Sequence, residues 1–281
     1  ENRPPMRTAV TLQVDIQGAG KPILCLHGHP GSGKSLSVFT TALSQRYRTI
    51  APDLRGYGQS QVQSAFEMSD HLEDLEALWS SYNLDGCIII GWSLGGILAM
   101  EMALRHPGSV KGVILVATAA RPIGNHPTVT WRDNLYTAIA GLINGIAPGW
   151  RWNINTFGRR SLFRHLIHRH SAEAYRYLAK DALPAYLKTS THATQALNAA
   201  LREGYDRLDQ LTQITCPCLV LAGQCDRNIT AASSKETADA LPHSDWICYP
   251  DTAHLFPWEI PEQVQHDIEQ WLQRLDREES A

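Results

Sequence analysis

The strongest constraint on this chain is a series of short apolar runs separated by helical spacing and turn residues. Residues 23–26, 87–90 and 113–116 are too short for buried helices and lack polar alternation, and residues 47–51, Y-R-T-I-A, are read as a further strand before the turn at Pro52. Such runs suit strands covered on both faces. Residues 11–16, T-L-Q-V-D-I, read instead as an alternating strand. Between these runs, Met68–Tyr82 sets Leu72, Leu75 and Leu78 on one helical face, with Glu73, Asp74 and Glu76 largely opposite. Leu94–Arg105 predicts a second helix that stops near Pro107. Buried strands alternating with helices predict an α/β fold: a mostly parallel sheet with helices on both faces.

The alternation breaks after residue 120. From 121 to 210 there is no buried strand run, only helical patterns and loop signals such as Pro122-Ile123-Gly124-Asn125 and Ala147-Pro148-Gly149. Strand-like runs resume at 219–222 and 246–249, and a last helix is predicted over 261–275. The expected organisation is one core domain, residues 1–120 and 211–281, with an inserted helical cap at 121–210. The insertion carries 12 Lys+Arg and 6 Asp+Glu, a net of +6, whereas the rest of the chain carries 13 and 22, a net of −9. A solvated helix face accounts for the basic stretch around Arg159, Arg160, Arg164 and Arg169; the sharper reading is a surface that steers anions. Residues 135–150, which hold no charged side chain, are expected to pack as cap core, the alternative being a wall for an apolar acyl or aromatic substrate.

Composition removes several classes of function. A net charge of −3 over 281 residues does not fit a dedicated nucleic-acid binder. No apolar run approaches the ~18 residues of a membrane span. Six cysteines are too few for a disulfide framework, and Cys216-Pro217-Cys218 lacks the C-x-x-C spacing of zinc or redox sites. His165, His168 and His170 have no acidic or cysteine partner in view, so neither metal nor cofactor is expected. Residues 1–5 carry no apolar core of a leader peptide, and a cytoplasmic protein is expected. Oligomeric state is not legible.

One motif carries chemistry. Gly91-Trp92-Ser93-Leu94-Gly95-Gly96 falls between the run at 87–90 and the helix beginning at Leu94. G-x-S-x-G between strand and helix is the nucleophile elbow, a turn so tight that flanking residues lack room for Cβ atoms. It lifts Ser93 Oγ clear of the sheet and aims the Leu94 amide and the helix N-terminus at a developing oxyanion. The competing reading is a serine that merely caps an ordinary helix.

With this motif the chain resembles the α/β-hydrolase family over nearly its whole length. His27-Gly28 follows an early strand, and Asp53-Leu54-Arg55-Gly56-Tyr57-Gly58-Gln59-Ser60 follows the next; the elbow serine, a helical cap, an acid and a histidine then come in order. The elbow is similar to that of several small carboxylesterases in the family. The resemblance implies that Asp226, in Gly223-Gln224-Cys225-Asp226, is the acid, and that His254, in Asp251-Thr252-Ala253-His254, is the base. It also implies that the His29 amide joins Leu94 as second oxyanion donor. Asp245 and Asp251 are rival acids, whereas Ala117-Thr118-Ala119-Ala120 offers no carboxylate at the family's other acid position. Trp92, Phe256 and Trp258 are read as apolar pocket wall.

The expected function is therefore a serine hydrolase that cleaves a small to medium, largely apolar ester through an acyl-serine. Its partner is a small-molecule substrate. Thioester, lactone, amide or carbon–carbon bond hydrolysis and peracid formation use the same triad. A ligand-binding protein of the same fold is the non-enzymatic alternative. Gly28-His29-Pro30-Gly31-Ser32-Gly33-Lys34-Ser35 also fits the phosphate loop of nucleotide hydrolases. Pro30 removes an amide from that loop, and the reading leaves Ser93, Asp226 and His254 without a role.

Overall fold

The computed structural model describes residues 9–279; residues 1–5, considered above for a leader, lie outside them. Seven strands form one sheet: β1 Val14–Gln17, β2 Pro22–Leu26, β3 Arg48–Pro52, β4 Cys87–Trp92, β5 Val110–Val116, β6 Cys218–Gly223 and β7 Ser244–Tyr249. Their order is β1-β3-β2-β4-β5-β6-β7. All neighbours pair in parallel except β1, which runs antiparallel to β3 with Val14 opposite Pro52. The helices are α1 Ser37–Leu43, α2 Met68–Tyr82, α3 Leu94–Arg105, α4 Trp131–Ile146, α5 Arg151–Thr156, α6 Ala172–Tyr177, α7 Leu183–Leu187, α8 Thr191–Arg202, α9 Ala231–Ala240, α10 Phe256–Glu259 and α11 Pro261–Glu279.

The apolar runs are continuous because successive side chains enter opposite cores. Ile23, Cys25, Ile88, Ile90, Ile114 and Val116 face a core shared with Phe39 of α1 and Ile268 and Leu272 of α11. Leu24, Leu26, Ile89, Val113 and Leu115 face a second core with Leu75 of α2 and Leu98 of α3. Helices therefore cover both faces, as expected. α2 and α3 have the predicted limits, whereas α9 has no apolar stripe to signal it. Its inner face is Ser233, Ser234 and Thr237, anchored by Ser234 Oγ donating to Thr118 O at 2.8 Å and by Thr237 Oγ1 accepting from Ala120 N at 2.9 Å.

Between β5 and β6 the described residues contain helices α4–α8 and no strand. The expectation that residues 135–150 pack as cap core is overturned. Trp131, Leu135, Leu142 and Ile146 of α4 stand exposed, Ile146 at 89%, while Asp133, Thr137 and Asn144 are buried. The inward polar side chains of α4 are all engaged. Asp133 accepts from Thr130 N at 2.8 Å and pairs with Arg164 at 2.8 Å. Thr137 Oγ1 donates to Asp133 O at 2.6 Å and accepts from Leu162 N at 2.9 Å. Asn144 Nδ2 donates to Ala179 O at 2.7 Å, and Asn153 Nδ2 donates to Ala140 O at 2.8 Å. Hydrogen bonds rather than apolar burial set which face of α4 turns inward.

Behind the carboxyl end of β2, three histidines surround the buried phenol ring of Tyr57. His27 Nδ1 donates to Gly28 O at 2.8 Å while Nε2 accepts from Leu54 N at 3.0 Å, an arrangement only the neutral ring can make. His29 Nδ1 lies 3.0 Å from Tyr57 Oη, and His71, buried with neither ring nitrogen bonded among the described residues, lies 6.2 Å from the Tyr57 ring. Burial lowers these rings from the ordinary 6.5 to about 4 for His27, about 4 for His29 and about 3 for His71. Because the folded values lie below the unfolded one, the unfolded chain takes up protons first. Their contribution is complete above pH 6.5 and is lost as pH falls toward 4. Urea unfolding should show stability falling across that window. His71→Leu should flatten the fall and, by removing two unpaired buried nitrogens, raise stability at pH 7 by about 1 kcal/mol.

Candidate active site

Ser93 sits where β4 turns into α3, at φ 53° and ψ −114°, and its side chain makes no cap hydrogen bond. An N-cap residue holds an extended backbone and accepts from the first turn, so capping does not explain this serine. Glycine makes the turn possible. A Cβ on Gly91 would lie 2.2 Å from Gly95 O, and one on Gly95 would lie 2.0 Å from Leu26 O. The backbone is locked by Ser93 N donating to Val116 O at 2.9 Å and by Thr118 Oγ1 donating to Ser93 O at 2.8 Å. Leu94 N–H belongs to the first turn of α3, whose amides have no partner within the helix. The His27–His29 loop runs alongside, since a Cβ on Gly28 would approach Ser93 Cβ to 3.2 Å.

The structure brings two further expected residues together. His254 Nδ1 donates to Asp226 Oδ2 at 2.7 Å, both side chains being buried. Asp226 Oδ1 accepts from Asn228 N at 2.7 Å and Ile229 N at 3.1 Å, so the carboxylate has fixed partners on both oxygens. Neither rival acid is in this position: Asp251 is exposed, and Asp245 accepts from Trp271 Nε1 at 3.0 Å and pairs with Arg274. With Nδ1 protonated, Nε2 is an acceptor, and Asn228 Nδ2 donates to it at 3.3 Å. No hydrogen bond joins Ser93 Oγ to His254 among the described residues. Trp92 Nε1 donates to the His254 carbonyl at 3.3 Å, tying the elbow to the histidine loop.

Trp92, Phe256 and Trp258 lie inside the core beside the site. Trp92 packs edge-on against Phe39 and Trp258, and Trp258 stacks on Tyr177 of the cap. None lines the cap groove described below. Trp92 is the last residue of β4, and Phe256 and Trp258 are buried on α10, the short helix that follows the His254 loop. The phosphate-loop look-alike is internally occupied, as Gly33 N donates to Asp53 Oδ1 at 2.8 Å and Ser32 N donates to Ser35 Oγ at 3.1 Å. A carboxylate holds the amide that a phosphate would need. Among the described residues, no group of three His, Cys, Asp or Glu side chains is placed to hold a metal ion, and no helix is long and apolar enough to cross a membrane.

Sequence reasoning missed the residues that hold the histidine loop to the cap. Glu259, buried, accepts from Ala253 N at 2.9 Å through one oxygen, and from His168 N at 3.2 Å and Arg169 N at 2.5 Å through the other. Burial raises its carboxyl above the ordinary range, with the three amides opposing. Leu255 N donates to Leu166 O at 2.9 Å, and Arg169 donates to Asp251 O at 3.0 Å and Pro250 O at 3.1 Å. Only a contact between segments about 90 residues apart reveals this role, so Glu259 read alone is an ordinary helix-start acid.

Residues 21–147 match the family described as alpha/beta hydrolase fold. The chain is 25% identical over 249 residues to the pimeloyl-[acyl-carrier protein] methyl ester esterase of Vibrio atlanticus, covering 87% of this chain and 91% of that one. It is 27% identical over 267 residues to the AB hydrolase superfamily protein YisY of Bacillus subtilis, covering 93% and 95%. Among solved structures, a thermophilic esterase from Thermogutta terrifontis superposes with a TM-score of 0.68 at 27% identity, over 94% of this chain and 93% of that one.

The Glu259 network has a measurable consequence. Glu259→Ala strips the acceptor from three amides and should lower unfolding free energy by about 3–5 kcal/mol in urea titrations. Glu259→Gln, which keeps one acceptor oxygen, should lose about half as much.

Proposed function

Because this chain belongs to the α/β-hydrolase superfamily, among its serine esterase-like members, we propose that it hydrolyses small to medium, largely apolar carboxylic esters through an acyl-serine. In this reading the described residues of 1–120 and 211–281 form the catalytic core and 121–210 the cap. The observation that carries this reading is the strained Ser93 at the strand–helix turn, beside the loop of a buried His254–Asp226 pair. His254 Nε2 takes the Ser93 Oγ proton as Oγ attacks the ester carbonyl. The amides of His29 and Leu94 receive the negative charge that forms on the carbonyl oxygen. Nε2–H then passes its proton to the departing alkoxide, leaving the acyl group on Ser93. Water, deprotonated by the same nitrogen, attacks the acyl carbonyl and releases the acid with Ser93 restored. Asp226 keeps the ring in the tautomer that leaves Nε2 free to accept and stabilises the imidazolium formed in each half-reaction.

The Asn228 amide occupies the His254 lone pair, so it must release that nitrogen as Ser93 engages. The relative from Vibrio atlanticus is named for the methyl ester of a pimeloyl group on an acyl carrier protein; that name supports an acyl ester as the substrate class here. All six cysteines are free thiols, which supports work in a reducing compartment, the cytoplasm.

Intact-mass measurement after fluorophosphonate treatment should show one adduct on the native chain and none on Ser93→Ala. Absence of an adduct on the folded native chain overturns the proposal. With p-nitrophenyl esters, Asp226→Asn should lower kcat by about 10⁴-fold with Ser93 still in place. Asn228→Ala should change kcat by less than about tenfold, because its amide touches the base without taking a proton.

A further inference from the structure

Helices α4, α5, α6 and α7, with the π-helical turn Leu178–Ala182, enclose a groove of about 1040 Å³ wholly within the cap. This is at the upper end of the size of small-molecule sites. Ser93, Asp226 and His254 are not among the residues that line it. Ile154, Ala179 and Leu187 supply apolar surface, and Gly141, Gly145 and Gly149 leave one side without side chains. Five cations also line the groove, namely Arg151, Arg159, Arg176, Lys180 and Lys188, and no carboxylate does.

The cations are unequally compensated. Arg176 pairs with Glu173 at 2.9 Å. Arg159 has no ion-pair partner among the described residues, yet it is held in place. Its guanidinium carbon lies 4.7 Å from the Tyr175 ring centroid, and its Nε donates to Asn155 Oδ1 at 3.3 Å. Tyr175 is itself buried and bonded through its hydroxyl to His170 Nδ1 at 2.7 Å. A guanidinium stacked on one face and tethered through Nε keeps its two terminal nitrogens for a two-oxygen anion. Like charges gathered round an apolar cavity repel one another, and an anion relieves that repulsion. An apolar tail on the same anion would cover the remaining surface.

We propose that the cap groove is a binding site, separate from the catalytic centre, for a fatty-acid carboxylate of medium to long chain. The carboxylate sits on Arg159 and the chain runs along Ile154, Ala179 and Leu187. The inference rests on the cap alone and stands whether or not Ser93 is reactive. A symmetric cap-to-cap contact with a second copy of this chain is disfavoured, because two insertions of net charge +6 would meet.

Isothermal titration calorimetry with dodecanoate below its micellar concentration tests the site on the full chain. One dodecanoate per chain is expected, with dodecyltrimethylammonium and acetate showing no saturable heat. Arg159→Gln should weaken binding at least tenfold. Gly145→Phe provides an independent test, because a Cβ at Gly145 meets no atom within 4 Å and the ring can fill the groove without moving the backbone. That variant should abolish binding while retaining the native far-ultraviolet circular dichroism. Unchanged affinity in both variants would place dodecanoate elsewhere and overturn the proposal. Equal binding of the cationic amphiphile, or no binding by the native chain, would overturn it as well. Fluorophosphonate labelling of the same samples reports separately on Ser93, so failure of one reading is distinguishable from failure of the other.

Discussion

The close approach of the Ser93 turn to the end of β2 is the constraint on which the site depends. With 2.0 Å between a hypothetical Gly95 Cβ and the Leu26 carbonyl, α3 reaches the sheet only where a side chain is missing. That contact holds Ser93 in its positive-φ backbone conformation and brings the His27–His29 loop alongside it. A larger residue at position 95 would push α3 away and separate the Ser93 side chain from the amides of the neighbouring loop. The geometry is also fixed from behind, by parallel strands whose side chains fill two cores and leave β2 and β4 no freedom to slide.

The cap is built on a different principle. Its longest helix, α4, turns Asp133, Thr137 and Asn144 inward and leaves Trp131, Leu142 and Ile146 in solvent. Ten of the eleven large apolar side chains that stand exposed among the described residues lie between 121 and 210. Polar ties are directional, so they fix which face of α4 turns inward, while Ile154, Phe163, Ile167, Leu178 and Leu183 join the cap to the apolar core of the sheet. The same ties reach the histidine loop, where Glu259 binds the backbone at 168 and 169 while also holding Ala253. The cap and the His254 loop are thereby tied by hydrogen bonds as well as by the apolar cluster that holds Ile167, Leu255 and Phe256.

Much of the sheet was legible because buried parallel strands leave continuous apolar runs, and both α2 and α3 were legible because their apolar residues recur at helical spacing. Ser93 was legible because few backbones other than this turn require its flanking glycines. Asp226 and His254 were legible only through resemblance, since an acid and a histidine 28 positions apart carry no signal of proximity in themselves. Residues 135–150 of the cap were misread because hydropathy predicts which face is buried only when apolar burial is what orients the helix. α9 was missed for a related reason, its inner face being serine and threonine.

The sequence by itself determined the alternation of strands and helices, the elbow serine, and the break into a basic helical insertion. Those features are written in local spacing, glycine placement and charge. Tertiary structure alone decided that Asn228 rests on the acceptor nitrogen of His254, that Glu259 clasps the cap, and which face of α4 turns to solvent. Each of these depends on a hydrogen bond between segments brought together by the fold, and such bonds act over about 3 Å between residues that sequence spacing does not relate.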